Sequence, residues 1–185
     1  MLKVISRCLL AALFILPGII YSQNANPQGA IPRDSLIKIA RKIIDSAGTC
    51  MLITVDENNK PHARVMDPFT PDEHMVVRMG TNPNMRKVEQ IKKNQNVVVF
   101  YYDKTSMSYV TLEGKAKLLE DAVSKTKYFK SYWDRYYPNP ESDFVVIEAT
   151  PERMEVLSYQ YNMLWNMETG TPANFIDFAA EAMKK

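Results

Sequence analysis

The spacing of apolar residues changes repeatedly along the chain, and each change marks an element. In "RDSLIKIARKIIDSAG", Leu36, Ile39, Ala40, Ile43, Ile44 and Ala47 recur at helical intervals. Asp34 or Ser35 is placed to cap that helix, and Gly48 to stop it. "TCMLITV" then reads as a strand, "DENNK" as a tight polar turn and "PHARVM" as the returning strand of a hairpin. After the loop "DPFTPDE", "HMVVRM" is a third strand. "PNMRKVEQIKKN" returns to helical spacing, with Met85, Val88 and Ile91 on its buried side and Pro83 at its first position. "NVVVFYY" is a continuous apolar strand, expected to be covered on both faces.

The second half of the domain follows the same logic. "MSYVTLEGKAKLLE" is a long strand with Gly114 as a bulge or sharp bend. "DAVSKTKYFKSYWDRYY" is helical in composition and stops at Pro138. "DFVVIEATPERMEVLSY" reads as two strands joined through Thr150-Pro151, and "TPANFIDFAAEAMKK" as a short amphipathic helix. Six to seven strands with helices between them predict a mainly β, α+β fold. The architecture is a closed or partly closed, mostly antiparallel barrel, not a doubly wound parallel sheet. No linker interrupts residues 33–160, which form one domain followed by a tail over 161–185.

The first residues change the picture. "MLKVISR" is a basic leader, "CLLAALFILPGIIYS" an apolar run, and "SQNANPQGAIP" polar and turn-rich. This pattern predicts a secretory signal peptide over 1–22, a lead-in over 23–32, and a protein exported to the periplasm or medium. The chain carries 23 basic and 21 acidic residues; losing Lys3 and Arg7 leaves 21 of each. A neutral mature protein excludes nucleic acid and a stable hold on an anionic membrane as main partners. Cys50, the one cysteine left once Cys8 departs, sits in the apolar "CMLITV" as a core residue.

The catalytic motifs of self-sufficient enzymes are absent. His62 and His74 have no metal-ligand spacing, so no metal site is expected. No GxSxG, Walker or dinucleotide glycine motif occurs, and Asp67, Asp72 and Glu73 read as solvated loop acids. Chemistry here calls for a cofactor. "GTNPNMRK" suggests where one sits: a helix start, with Thr81 and Asn82 in capping positions and Arg86 and Lys87 in the first turns. Cations there oppose the helix dipole, an arrangement that an anion such as a phosphate relieves.

"HARVM", that octapeptide and the strand order together resemble the FMN-binding split barrels of the pyridoxamine 5'-phosphate oxidase-like family, in its general-stress-protein branch. The resemblance implies FMN as cofactor. Arg64, Val65 and Met66 would lie along the flavin, Gly80, Thr81, Arg86 and Lys87 at its phosphate, and Tyr109 against its ring. It also implies a homodimer with the flavin in a cleft between subunits. The aromatic run "YFKSYWDRYYP" and Trp165 would join that interface, close over the ring, or simply pack. Phe69 stands where the vitamin oxidase has a substrate-binding Lys, and the C-terminal Arg and His of that enzyme have no match. The expectation is therefore an oxidoreductase acting on some other small molecule, with no catalytic side chain identified. The alternative is a non-catalytic binding or sensing module for flavin, deazaflavin or haem, with His62 or His74 as an iron ligand; a third reading is a domain that has lost its ligand.

Overall fold

A computed structural model describes residues 31–172 and 174–183. The predicted signal peptide and most of the lead-in lie outside the described residues. The chain runs α1 (Arg33–Ala47), β1 (Cys50–Val55), β2 (Pro61–Met66), β3 (Val77–Thr81), α2 (Arg86–Lys93), β4 (Asn96–Asp103) and β5 (Ser108–Leu119). It continues through α3 (Ala122–Lys127), a 3-10 turn at Ser131–Trp133, α4 (Pro140–Asp143) and β6 (Val145–Leu157). The tail forms β7 (Trp165–Asn166), β8 (Thr171–Pro172), β9 (Asn174–Asp177) and α5 (Phe178–Ala182).

One antiparallel sheet has the order β2-β1-β4-β5-β6-β3, with β9 also paired to β6. Just past β2, Pro68 bridges to Met79 on β3, and Phe69 N–H donates to the Arg78 carbonyl at 2.8 Å. That contact draws the two ends of the sheet together into the expected split barrel. Alternate residues of each strand point inward. Leu52, Val99, Leu112, Met79, Ile147 and Met154 form its core, onto which α1 lays Leu36, Ala40, Ile43 and Ile44.

Several elements differ from the sequence expectation. Pro32, with no side-chain hydrogen bond, precedes α1; Asp34 and Ser35 lie within the helix instead of capping it. The strand over 145–157 is continuous, not two strands. Pro151 pairs with Gly114 of β5 where the register shifts, between the stretches of β6 that pair with β3 and with β9; a bulge is one of the few places in a sheet that tolerates a proline. The expected irregularity at Gly114 is present: the β5–β6 register shifts between Glu113 and Gly114. A helix does occupy 122–127, but the aromatic stretch after it runs in turns. The apolar strand β4 is covered on one face only: Val97, Val99 and Tyr101 are buried, while Val98 and Phe100 are half-exposed and Tyr102 is exposed.

Candidate functional site

β2, the end of β3 and the start of α2 converge at the seam where the barrel closes. Arg64 leaves β2 half-buried; its guanidinium donates to Thr54 Oγ1 at 2.6 Å, the Leu52 carbonyl at 3.3 Å and Gln90 Oε1 at 3.1 Å. Thr54 also donates to Gln90 Oε1 at 2.6 Å, so neutral acceptors orient the arginine and leave its charge uncancelled. From α2, Lys87 Nζ donates to Thr81 Oγ1 at 2.9 Å. Neither Arg64, Arg86 nor Lys87 is within ion-pair distance of an acid among the described residues. Burial, then the Arg64 charge, holds the Lys87 ammonium below the usual lysine range; burial, then Arg86, does the same to Arg64. Three crowded, uncompensated cations beside a hydroxyl suit a phosphate dianion, which relieves both effects.

The local backbone is not as expected. α2 begins at Arg86, so Pro83 lies in a turn ahead of it, and Thr81 and Asn82 do not cap it. Asn82 Oδ1 instead accepts from Asn84 N–H at 2.9 Å, shaping that turn. Exposed Met85 occupies the cap position with no side-chain bond, contrary to its predicted burial; Val88 and Ile91 are buried as predicted. Arg86 and Lys87 are thus the first two residues of a helix with no side-chain cap, an end whose free N–H groups favour an anion.

Beside these cations lies a pocket of about 400 Å³. Thr81, Asn82 and Lys87 line one part; Val65, Met66 and Gly80 line it too, with Asp67, Trp133, Tyr136 and Tyr137. Arg86 and Gln90 line a separate cavity of about 250 Å³ with Asp56 and His62. Gly80 lies directly under the rings: a Cβ there would stand 2.3 Å from Phe144 Cε2 and 2.5 Å from Trp133 Cζ3, so the rings would have to move. Those rings belong to a second cluster with Val146, against which Phe69, Tyr128, Phe129 and Tyr137 pack. Phe69 meets Tyr128 and Trp133 edge-on at 5.5 and 5.9 Å between centroids, so an aromatic wall fills its surroundings.

Asp67 is not the solvated loop acid of the sequence reading. Lys130 Nζ and the Tyr132 hydroxyl donate to it at 2.5 Å each, and Trp133 Nε1 at 3.2 Å. Burial pushes its carboxyl up, but these donors outweigh that and hold it below the usual carboxylate range. Asp72 is likewise engaged, pairing with Arg78 at 2.8 Å; Glu73 alone is exposed as expected. Tyr109 stands apart from the pocket lining, stacked between Phe100 and Trp165 at 5.4 and 6.3 Å. His62 Nε2 lies 2.9 Å from Asp56 Oδ2, and exposed His74 lies beside Glu73. Among the described residues no cluster of metal ligands forms. Sequence reasoning missed Gln90, Thr54 and Lys130 and misread Asp67; Trp133 belongs to the aromatic run over 128–137 that was expected to join an interface, close over the ring or pack.

A family model described as pyridoxamine 5'-phosphate oxidase matches residues 36–158. The chain belongs to the pyridoxamine 5'-phosphate oxidase family. Its resemblance to the general-stress-protein branch of that family is also direct. General stress protein 26 of Bacillus subtilis is 28% identical over 120 residues, 63% of this chain and 84% of the relative. The solved General Stress Protein 26 from Bacillus anthracis is 30% identical, with a TM-score of 0.58 over 66% of this chain and 93% of that one. Two more distant structures share the fold of this oxidase family. A pyridoxamine 5'-phosphate oxidase-related, FMN binding protein from Nostoc punctiforme is 15% identical, with a TM-score of 0.53 over 72% and 88% of the two chains. A heme binding protein from Mycobacterium smegmatis is 18% identical, with a TM-score of 0.55 over 69% and 55%.

Proposed function

We propose that this protein binds FMN and acts as an oxidoreductase on a small molecule other than pyridoxamine phosphate. The carrying observation is the group of uncompensated cations Arg64, Arg86 and Lys87 with Thr81, next to a pocket with apolar and aromatic walls. These four residues would hold the phosphate. Val65 and Met66 would lie along the ring, with Trp133, Tyr136 and Tyr137 closing the pocket beyond them. The flavin supplies the redox chemistry. The chain supplies binding and water exclusion: the one carboxylate of the pocket, Asp67, is already committed to Lys130, Tyr132 and Trp133, so no lining carboxylate is a free acid or base. Phe69 in place of a lysine, embedded in rings, supports a substrate without the vitamin phosphate.

The functional unit in this proposal is a homodimer. Register places Val65, Met51, Phe100 and Thr111 in one row across β2, β1, β4 and β5, all on the outward face. An antiparallel sheet facing water presents polar residues there, and this one presents Val65 at 68% exposure and Tyr102 at 45%. The pocket opens at the Val65 end of that face, and Tyr109 with Trp165 lies towards the other. In this proposal the two-fold axis runs along the strands, which sets the Tyr109 end of one copy against the Val65 end of the other. The alternative, a haem-holding module, draws on the heme binding protein of the same fold. Against it, His62 is engaged by Asp56, and neither histidine lines the pocket between Val65 and Trp133.

The test is the double substitution Arg86→Ala/Lys87→Ala, titrated with FMN and with riboflavin. Each charge-assisted contact is worth about 1.5–3 kcal/mol, so FMN binding should weaken on the order of a hundredfold to ten-thousandfold. Riboflavin, without a phosphate, should bind the variant as it binds the wild type. Equal losses for both ligands, or none for either, would remove the phosphate reading.

A further inference from the structure

We infer that Asp67 is a positioning residue: its carboxylate latches the aromatic segment 128–137 down as the far wall of the pocket, and so sets the space open to the ring of a bound ligand. Asp67 follows Met66 directly and lines the pocket itself. Its two oxygens divide the work. Oδ1 accepts from Lys130 Nζ at 2.5 Å; Oδ2 accepts from the Tyr132 hydroxyl at 2.5 Å and Trp133 Nε1 at 3.2 Å. Lys130 also donates to the Pro68 carbonyl at 2.8 Å, so the segment is tied to the backbone just after β2. These partners are consecutive to within three residues, and only a short 3-10 turn orders them locally.

Ring packing of Phe129, Trp133 and Tyr137 on Phe144 holds the inner side of the wall, and the Asp67 contacts hold its outer side. Tyr132 and Tyr136 are 55% and 59% exposed, while Trp133, 6% exposed, is the one ring of the three driven into the cluster. Trp133 is therefore shared: its carbons pack over Gly80 and Phe144, and its indole N–H reports to Asp67. Removing the charge of Asp67 leaves an ammonium, a phenol and an indole facing a group that can no longer accept from all of them. An asparagine in its place turns oxygen towards one side and an amide NH₂ towards the other, so either Lys130 or the Tyr132–Trp133 pair loses its acceptor. The segment then lifts, and the pocket loses its aromatic wall while keeping its phosphate end at Thr81 and Lys87.

The consequence for ring binding rests on the flavin proposal; the latch does not, and the test separates them. In a Trp165→Phe background, Trp133 is the remaining tryptophan. Asp67→Asn should shift Trp133 emission to the red in ligand-free protein and speed tryptic cleavage after Lys130 and Arg135. Gly114→Ala, which stresses the β5–β6 bulge instead, should lower stability without moving either signal. With the latch so established, Asp67→Asn should weaken FMN and riboflavin by the same factor, on the order of tenfold, because it acts at the ring end. Quenching of the bound flavin by the wall should fall in parallel, and Asp67→Glu, which keeps the charge, should restore part of both. Unchanged Trp133 emission and cleavage in Asp67→Asn would overturn the latch. A changed latch with a loss confined to FMN, or with no loss, would overturn its control of ring binding. A changed latch in a protein that binds neither flavin even as wild type would refute the flavin proposal alone.

Discussion

Lys87 carries a prediction of its own. Burial, then the neighbouring Arg64, lowers its pKa in the folded protein. The unfolded chain thus binds more protons between that lowered value and the ordinary lysine value of about 10.4, and the free protein gains stability as pH rises through the interval. A phosphate reverses the preference by favouring the ammonium. FMN affinity should therefore fall as pH climbs past the lowered value, and the ratio of FMN to riboflavin affinity should fall with it; the ratio cancels ionisation of the ring itself. Lys87→Arg, whose charge persists, should flatten that slope. A flat ratio in the wild type would show that Lys87 does not meet the phosphate. The residue was legible because its partner Thr81 lies six positions away. Asp67 was not, because its partner Lys130 lies 63 residues along the chain and proximity in sequence is the only kind a sequence displays. Cys50 was read correctly as core: it is buried, and burial pushes its thiol up to about 12, far from a nucleophile.

At the scale of elements, two glycines make a contrast. A Cβ at Gly114 would lie 2.1 Å from the Thr150 carbonyl oxygen and 2.8 Å from Pro151 Cα, both backbone atoms of the opposing strand. At Gly80 it would meet ring atoms of Phe144 and Trp133, which can shift. Gly80→Ala should cost about 1–3 kcal/mol by overpacking and change the near-ultraviolet circular dichroism of the aromatic cluster. Gly114→Ala should cost about 3 kcal/mol or more and leave that signal alone. Urea denaturation of both variants checks the order; equal costs would mean that the β5–β6 bulge yields as readily as side chains. Strand periodicity and Gly114 announced this bulge in advance. The course of 128–137 was not announced, because its composition is helical while its rings are claimed by Phe69 and Phe144 and its polar groups by Asp67. Tertiary contacts overrode a local preference worth only about a few tenths of a kcal/mol per residue.

For the whole molecule, the proposed dimer would form through the outward face of β2, β1 and β4. Met51 sits on it between Val65 and Phe100. Met51→Glu should leave the fold intact, since the side chain is 38% exposed, yet should halve the mass seen by light scattering and weaken FMN binding at the uncovered pocket. The same monomer mass for wild type and variant would refute the dimer. The sequence by itself determined the barrel and most of its elements, and it set the Thr81 hydroxyl close to the cations Arg86 and Lys87. These follow from periodicity and from neighbours a few positions apart, which are local properties of a chain. Only the tertiary structure decided which residues complete the pocket. Closure through Pro68 and Met79 brings β2 against β3, and the β5–β6 connection folds back over that seam to set Trp133 on Gly80 and Lys130 on Asp67. Such meetings depend on where the whole barrel closes, which no segment of it encodes alone.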